Sequence, residues 1–163
     1  MSAILVDVNA AWQRCPDVGG PAVVRLEPDK TVPAPRHGEV GEMNILVIDG
    51  ANVVGSRPDG WWRDRPGAAR RLAEKLETAQ LLYDGLVLVL EGAARRGRPE
   101  GHKLRLRVEH AKGNGDDAVV AEVVRQVAAG AEVDVVTADR GLRSRVDAAG
   151  GSALGPRWLL DQL

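Results

Sequence analysis

The chain has 163 residues, a net charge of −1 and 44% hydrophobic residues, chiefly Val, Leu and Ala. That length suits one domain with an appendage, and the near-neutral charge excludes a global field drawing the chain to nucleic acid or membrane. A single cysteine, Cys15, excludes an intrachain disulfide and any zinc-ligand spacing, and no apolar run approaches the roughly 20 residues of a membrane helix.

Residues 1–42 are rich in turn formers: Pro16, Gly19-Gly20-Pro21, Pro28, Pro33 and Pro35. Ile4–Val8 and Ala22–Leu26 have the composition of short strands, and Pro28–Glu42 reads as a linker. Two readings stand for this stretch: a loosely docked extension, or a segment upstream of a natural start at Met43. No basic-then-apolar leader pattern is visible, which with the lone Cys15 implies a reducing, cytoplasmic setting.

From Met43 onward strands and helices alternate. A strand over 44–48 is followed by a loop containing Arg57-Pro58-Asp59-Gly60-Trp61-Trp62. Asp64 is placed to cap a helix with Pro66 in its first turn, and Ala69, Leu72, Ala73, Leu76, Ala79 and Tyr83 share one face, carrying that helix to Asp84-Gly85. A strand over 86–90 leads into a basic loop, 92–102. Leu104, Leu106 and Val108 alternate with Arg105, Arg107 and Glu109 as in a half-exposed strand. Gly113-Asn114-Gly115 is a turn before a helix over 116–129, with Val120, Val123, Val124 and Val127 expected inward. A strand over 133–137 and a short helix over 140–149, burying Leu142 and Val146, follow. The final stretch, 154–163, closes the domain with Trp158 and Leu159. The alternation implies an α/β fold, a mostly parallel sheet between layers of helices.

Acids collect at one edge of such a sheet. Asp49 and Glu91 directly follow two apolar runs, and Asp139 comes shortly after a third. The C-terminal edge of parallel strands is where open α/β sheets bind ligands. Gly50 lets the backbone after Asp49 approach a ligand, and Asn52 either holds the Asp49 rotamer or contacts a phosphate. Asp116-Asp117 opens a helix. One acid is explained there by capping, and Asp117, three residues before Val120 and seven before Val124, is expected on the inward side. Asp116 is then cap or second ligand, and Glu91 is a ligand or a loop acid near Arg95. Asp49, Asp117 and Asp139 are expected close enough for one ion to bridge.

Crowded carboxylates with no essential Ser, Cys or His suit metal-assisted hydrolysis, with Mg²⁺ or Mn²⁺ as the hard cation. A phosphodiester complements that charge. Seven Lys/Arg lie between Arg95 and Lys112, among them Arg96, Arg98 and Lys103. With Arg57, Arg63, Arg65 and Arg140 they are candidate backbone grips, or simply a solvated charged face. Trp61-Trp62 either stacks unpaired bases or anchors packing.

Together, strand-Asp49-Gly50-Ala51-Asn52, Gly113-x-Gly115-Asp116-Asp117 and Thr137-x-Asp139-Arg140 resemble an NYN domain of the YacP-like kind, within the PIN-like nuclease superfamily. The resemblance covers residues 43–163. It implies a PIN-like three-layer α/β/α sandwich and a metal-dependent ribonuclease acting on RNA, with Asp49, Asp117 and Asp139 as acidic core, Asp116 and Glu91 assisting, and Asn52 in the family's Asn position. Glu91 departs from the Asp expected after this strand. Ile4-Leu5-Val6-Asp7-Val8-Asn9 resembles the first strand of other PIN-like domains, but the helix order downstream is wrong, so Asp7 is set aside. Two other functions stay open: an RNA-binding or scaffold module with a vestigial site, and a Mg²⁺-dependent phosphatase. The phosphatase lacks an Asp-x-Asp nucleophile motif at a strand end and a Gly-x-x-x-x-Gly-Lys loop.

Overall fold

Strand β1 (Asn44–Asp49) is apolar at every interior position because both of its faces are covered. Successive side chains alternate, so Ile45 and Val47 enter one core while Leu46 and Ile48 enter the other. The structure, a computed structural model, describes residues 43–163. The strands and linker expected within residues 1–42, and Asp7, lie outside the described residues.

The remaining strands are β2 (Gly85–Leu90), β3 (Gly101–Lys103), β4 (Leu106–His110), β5 (Glu132–Val136) and β6 (Ser152–Leu154). They form one six-stranded sheet in the order β3-β4-β2-β1-β5-β6, parallel throughout except for β3, which runs antiparallel to β4. Helices α1 (Gly50–Gly55), α2 (Arg65–Thr78) and α5 (Pro156–Leu160) cover one face through Val53, Leu72, Leu76 and Leu159. Helices α3 (Gly115–Ala128) and α4 (Arg140–Ala148) cover the other through Val119, Val123, Leu142 and Val146. The result is the three-layer α/β/α sandwich with a mostly parallel sheet that the alternation implies.

Topology positions the site. From β1 the chain moves outward to β2 and β4, then returns to place β5 on the opposite side of β1. The direction of winding therefore reverses between β1 and β5, and the crevice at their C-terminal ends is the switch point where such sheets bind ligands. Gly50 is required there by close approach: a Cβ would lie 2.7 Å from the Val89 carbonyl oxygen, so only glycine lets α1 start tight against β2.

Several elements depart from the sequence expectation. The segment after Asp49 is a helix, α1, rather than a loop. Helix α2 stops at Thr78, not at Asp84, although Leu81 and Tyr83 remain buried. The Arg105 guanidinium donates to the carbonyls of Leu81 (2.7 Å), Tyr83 (3.1 Å) and Ala79, so the chain past the helix is satisfied without helical hydrogen bonds. The basic loop contains a 3-10 turn, Gly92–Gly97, and the edge strand β3. Leu104 is not a strand residue. It turns the chain from β3 to β4 with φ of 55° and is 72% exposed. A sixth strand, β6, was not expected, and Trp158 is half-buried above Leu159 rather than fully enclosed.

The inward face of α3 is also rotated from the expected one. Val119, Glu122 and Val123 are buried, Val120 and Val127 are half-buried, and Val124 is exposed. Glu122 is held there by Arg107 of β4, by Arg125 and by Gln126 (2.7 Å). Burial pushes its carboxyl up, but the hydrogen bonds from Gln126, Arg107 and Arg125 outweigh burial and hold it below the ordinary glutamate value of 4.5. A lowered folded value means that the stabilisation is complete above pH 4.5 and is lost as pH falls through the folded value. Glu122→Gln is therefore expected to cost about 1–3 kcal/mol near neutrality and to flatten the acid limb of the stability profile. Urea unfolding across pH checks this. A variant as stable as the parent near neutrality would refute it.

Candidate functional site

Asp49 ends β1 and caps α1, and it is only 7% exposed. Its Oδ1 accepts the Asn52 amide (3.1 Å), and its Oδ2 accepts the Asn52 side-chain amide (3.0 Å) and the Thr137 hydroxyl (3.0 Å). The Thr137 bond crosses from β1 to the end of β5, directly over the switch point. Thr137 Oγ1 in turn accepts the Asp139 amide (3.2 Å), and Asn52 Oδ1 accepts the Ala138 amide (3.3 Å). Asp139 caps α4 by accepting the Leu142 amide (2.7 Å). A continuous hydrogen-bond network thus joins Asp49, Asn52, Thr137 and Asp139. Asn52 uses both ends of its amide inside the protein and so holds the Asp49 rotamer, one of its two expected roles.

Glu91 and Asp116 approach from the neighbouring elements. Glu91 follows β2, and its carboxylate accepts the Gly115 amide (2.8 Å) at the start of α3. A Cβ on residue 115 would lie 2.6 Å from Glu91 Oε2, so a side chain there would push the carboxylate from this position. Asn114 caps the same helix by accepting the Asp116 amide (2.9 Å). The Asp116 carboxyl is held above the usual aspartate range by burial and by the charges of Asp49, Asp139 and Glu91, with Arg145 opposing. Asp116 thus lies in the field of the other three acids.

Asp117 is placed differently from the expectation. It is 68% exposed and accepts a hydrogen bond from Arg145 (2.6 Å). Because the inward face of α3 runs through Val119 and Val123, the acid three and seven residues earlier is Asp116, not Asp117. Arg145 was missed by sequence reasoning. Its only signal was a position on the helix that Asp139 caps.

The basic residues divide into two sets. Arg98 and Lys103 both pair with Glu77 of α2, the lysine at 2.7 Å, so these two expected grips brace β3 against α2. Arg95 and Arg96 line an open groove with Gly92, Ala93 and His110, immediately after Glu91. Arg63 lies in the Trp61–Arg63 turn, Arg57 pairs loosely with Asp59 (3.9 Å), and Arg140 is exposed beside Asp139.

The donor set is all carboxylate, which is the chemistry of hard cations. Among the described residues, however, no three such side chains converge as a preformed metal cage, so the expected bridging of Asp49, Asp117 and Asp139 by one ion is not met. What the residues do fit is an open site in which one or two carboxylates hold a cation and water or substrate oxygen completes its shell, the usual habit of Mg²⁺.

No family model and no curated protein matches the chain. A solved structure does. The chain shares its fold with Rae1 (YacP) from Bacillus subtilis. That crystal structure, of a mutant form, superposes with a TM-score of 0.54 over 72% of this chain and 72% of Rae1, at 17% identity. The likeness establishes the PIN-like sandwich as the fold. Among the described residues no helix is long and apolar enough to cross a membrane.

The Thr137 hydroxyl serves both Asp49 and Asp139, so its removal leaves a buried carboxylate oxygen and a backbone amide each short of a partner. Thr137→Val is expected to lower stability by about 1–2 kcal/mol, with Thr137→Ser restoring most of it. Thermal and urea unfolding of the two variants check this, and equal losses in both would refute it.

Proposed function

We propose that the chain is a YacP-like NYN domain and a metal-dependent ribonuclease. The observation that carries this reading is the convergence on Asp116. Its carboxyl lies in the field of Asp49, Asp139 and Glu91 with one opposing cation, Arg145. Such an arrangement is poorly compensated by the protein alone, and a divalent cation relieves it. The fold shared with Rae1 (YacP) and the basic groove beside Glu91 support the same reading.

One or two of the carboxylates of Asp49, Asp116, Asp139 and Glu91 would hold Mg²⁺ or Mn²⁺, with water or substrate oxygen completing the shell. When bound, such an ion supplies an activated water and charge stabilisation at the leaving oxygen of a phosphodiester. The remaining work belongs to the chain itself. Asn52 and Thr137 fix the Asp49 carboxylate, and Asp117 orients Arg145 beside Asp116. Arg95 and Arg96 after Glu91 and Arg140 beside Asp139 would contact RNA phosphates, with Arg57 and Arg63 as more distant candidates.

A second reading, an RNA-binding module without cleavage, draws on the lack of a converged three-acid cage among the described residues. The two differ in outcome. For the nuclease, Asp49→Asn, Asp116→Asn and Asp139→Asn each lower RNA cleavage by about a hundredfold or more, and Asp117→Asn by about tenfold or less. Chelation with EDTA abolishes cleavage and added Mg²⁺ or Mn²⁺ restores it. Cleavage that survives EDTA and all of the first three changes would end this reading. Binding without cleavage, with no metal-dependent rise in Tm, would favour the module.

A further inference from the structure

The Trp61-Trp62 pair divides its labour. Trp61 is half-buried: its amide donates to Asp59 (3.2 Å), its ring lies against Gly55 of α1, and the Arg65 guanidinium sits 5.5 Å from its centroid. Trp62 packs edge-to-face on Trp61, with centroids 6.2 Å apart and planes at 86°, yet it is 55% exposed. One indole is an anchor, and the other is presented to solvent by it.

The position of Trp62 connects it to the acidic edge. The Trp61–Arg63 turn leads through Asp64 into the first turn of α2. The basic turn Gly92–Gly97 packs on that same first turn, where a Cβ on Gly97 would lie 2.0 Å from the Pro66 carbonyl oxygen. The basic turn begins directly after Glu91, which binds the start of α3 beside Asp116. Packing of the basic turn on the start of α2 thus links the acidic edge, through Arg95 and Arg96, to the surface on which Trp62 is exposed. Among the described residues neither Arg63 nor Arg96 forms an ion pair, so both are free to meet phosphates along that surface.

We propose that Trp62 is a stacking platform for an unpaired base of the RNA, and that it makes the site selective for single-stranded segments. This rests on the ribonuclease reading and adds a substrate class to it. An exposed indole next to the unpaired Arg63 offers what a single strand needs, a π-face for a base and a cation for an adjoining phosphate. Bases within a duplex are already stacked on one another and have no face to give.

The test measures the affinity of the full chain in EDTA for a fluorescein-labelled single-stranded RNA and for its duplex, by fluorescence anisotropy. Trp62→Ala is expected to bind the single strand about tenfold more weakly than wild type, Trp62→Phe to retain most of the affinity, and the duplex to be bound equally by all three. Strands carrying one abasic ribose at successive positions should include one that costs the wild type as much as Trp62→Ala and costs the variant nothing further. An unchanged Tm for Trp62→Ala shows that folding is not at issue. Equal single-strand affinity for wild type and Trp62→Ala would overturn the platform, leaving the indole to a protein partner and the ribonuclease reading intact. Equal losses on strand and duplex would overturn the selectivity. A wild-type protein that binds neither RNA would overturn the platform, while the ribonuclease reading is decided separately by the cleavage assay with Mg²⁺ or Mn²⁺.

Discussion

Carboxylates gathered at one sheet edge repel one another, and this fold contains that repulsion by giving most of them a helix to cap. Asp49 accepts an amide of α1, Glu91 the Gly115 amide of α3, and Asp139 an amide of α4. Each contact satisfies a backbone donor that the helix would otherwise leave open, and each sets a negative charge against the positive end of peptide dipoles. A cap of this kind contributes about 1 kcal/mol, so the acids stabilise the elements that bring them together. Their positions are thus fixed by folding before any ligand arrives.

Asp116 is the exception. Its helix is already capped by Asn114 and Glu91, and among the described residues its own carboxylate accepts no hydrogen bond. It is half-buried, faces three other acids and meets only the field of Arg145. Asp49 and Asp139 are tied to helix amides, whereas Asp116, in the first turn of α3, has only the helix dipole and Arg145 to favour its charge, which is why the proposed reading of the site turns on it.

How much of this was legible follows from what each element depends on. Strands β1, β2 and β5 were readable because they are buried on both faces and show as continuous apolar runs. Asp49 and Asp139 were readable because an acid next to a helix start is a local signal. The phase of α3 was not. Its valines at 119, 120, 123, 124 and 127 serve two faces offset by one residue, and periodicity alone does not choose between them. The choice is made by Glu122, which reaches Arg107 on β4. That long-range pair turns Val119 and Asp116 inward and leaves Val124 and Asp117 outside. The end of α2 was hidden for the same reason, since Arg105, far along the chain, takes up the carbonyls that a longer helix would have satisfied.

The arginines show why composition alone was a weak guide to the ligand. Between Arg95 and Lys112 the sequence is basic only in its count of charges; in space Arg98 and Lys103 serve Glu77, Arg105 serves carbonyls, and Arg107 serves Glu109 and Glu122. What remains beside the acids is a smaller set, Arg95 and Arg96 in the groove and Arg63 beyond it. A polyanion approaching the bare acids is repelled at short range, and screening at physiological ionic strength confines that repulsion to about 8 Å. Arg95 and Arg96 lie beside Glu91, at one margin of the edge. On the ribonuclease reading they would hold a phosphate backbone at the margin while a cation neutralises the acids, dividing binding from chemistry between two adjoining regions.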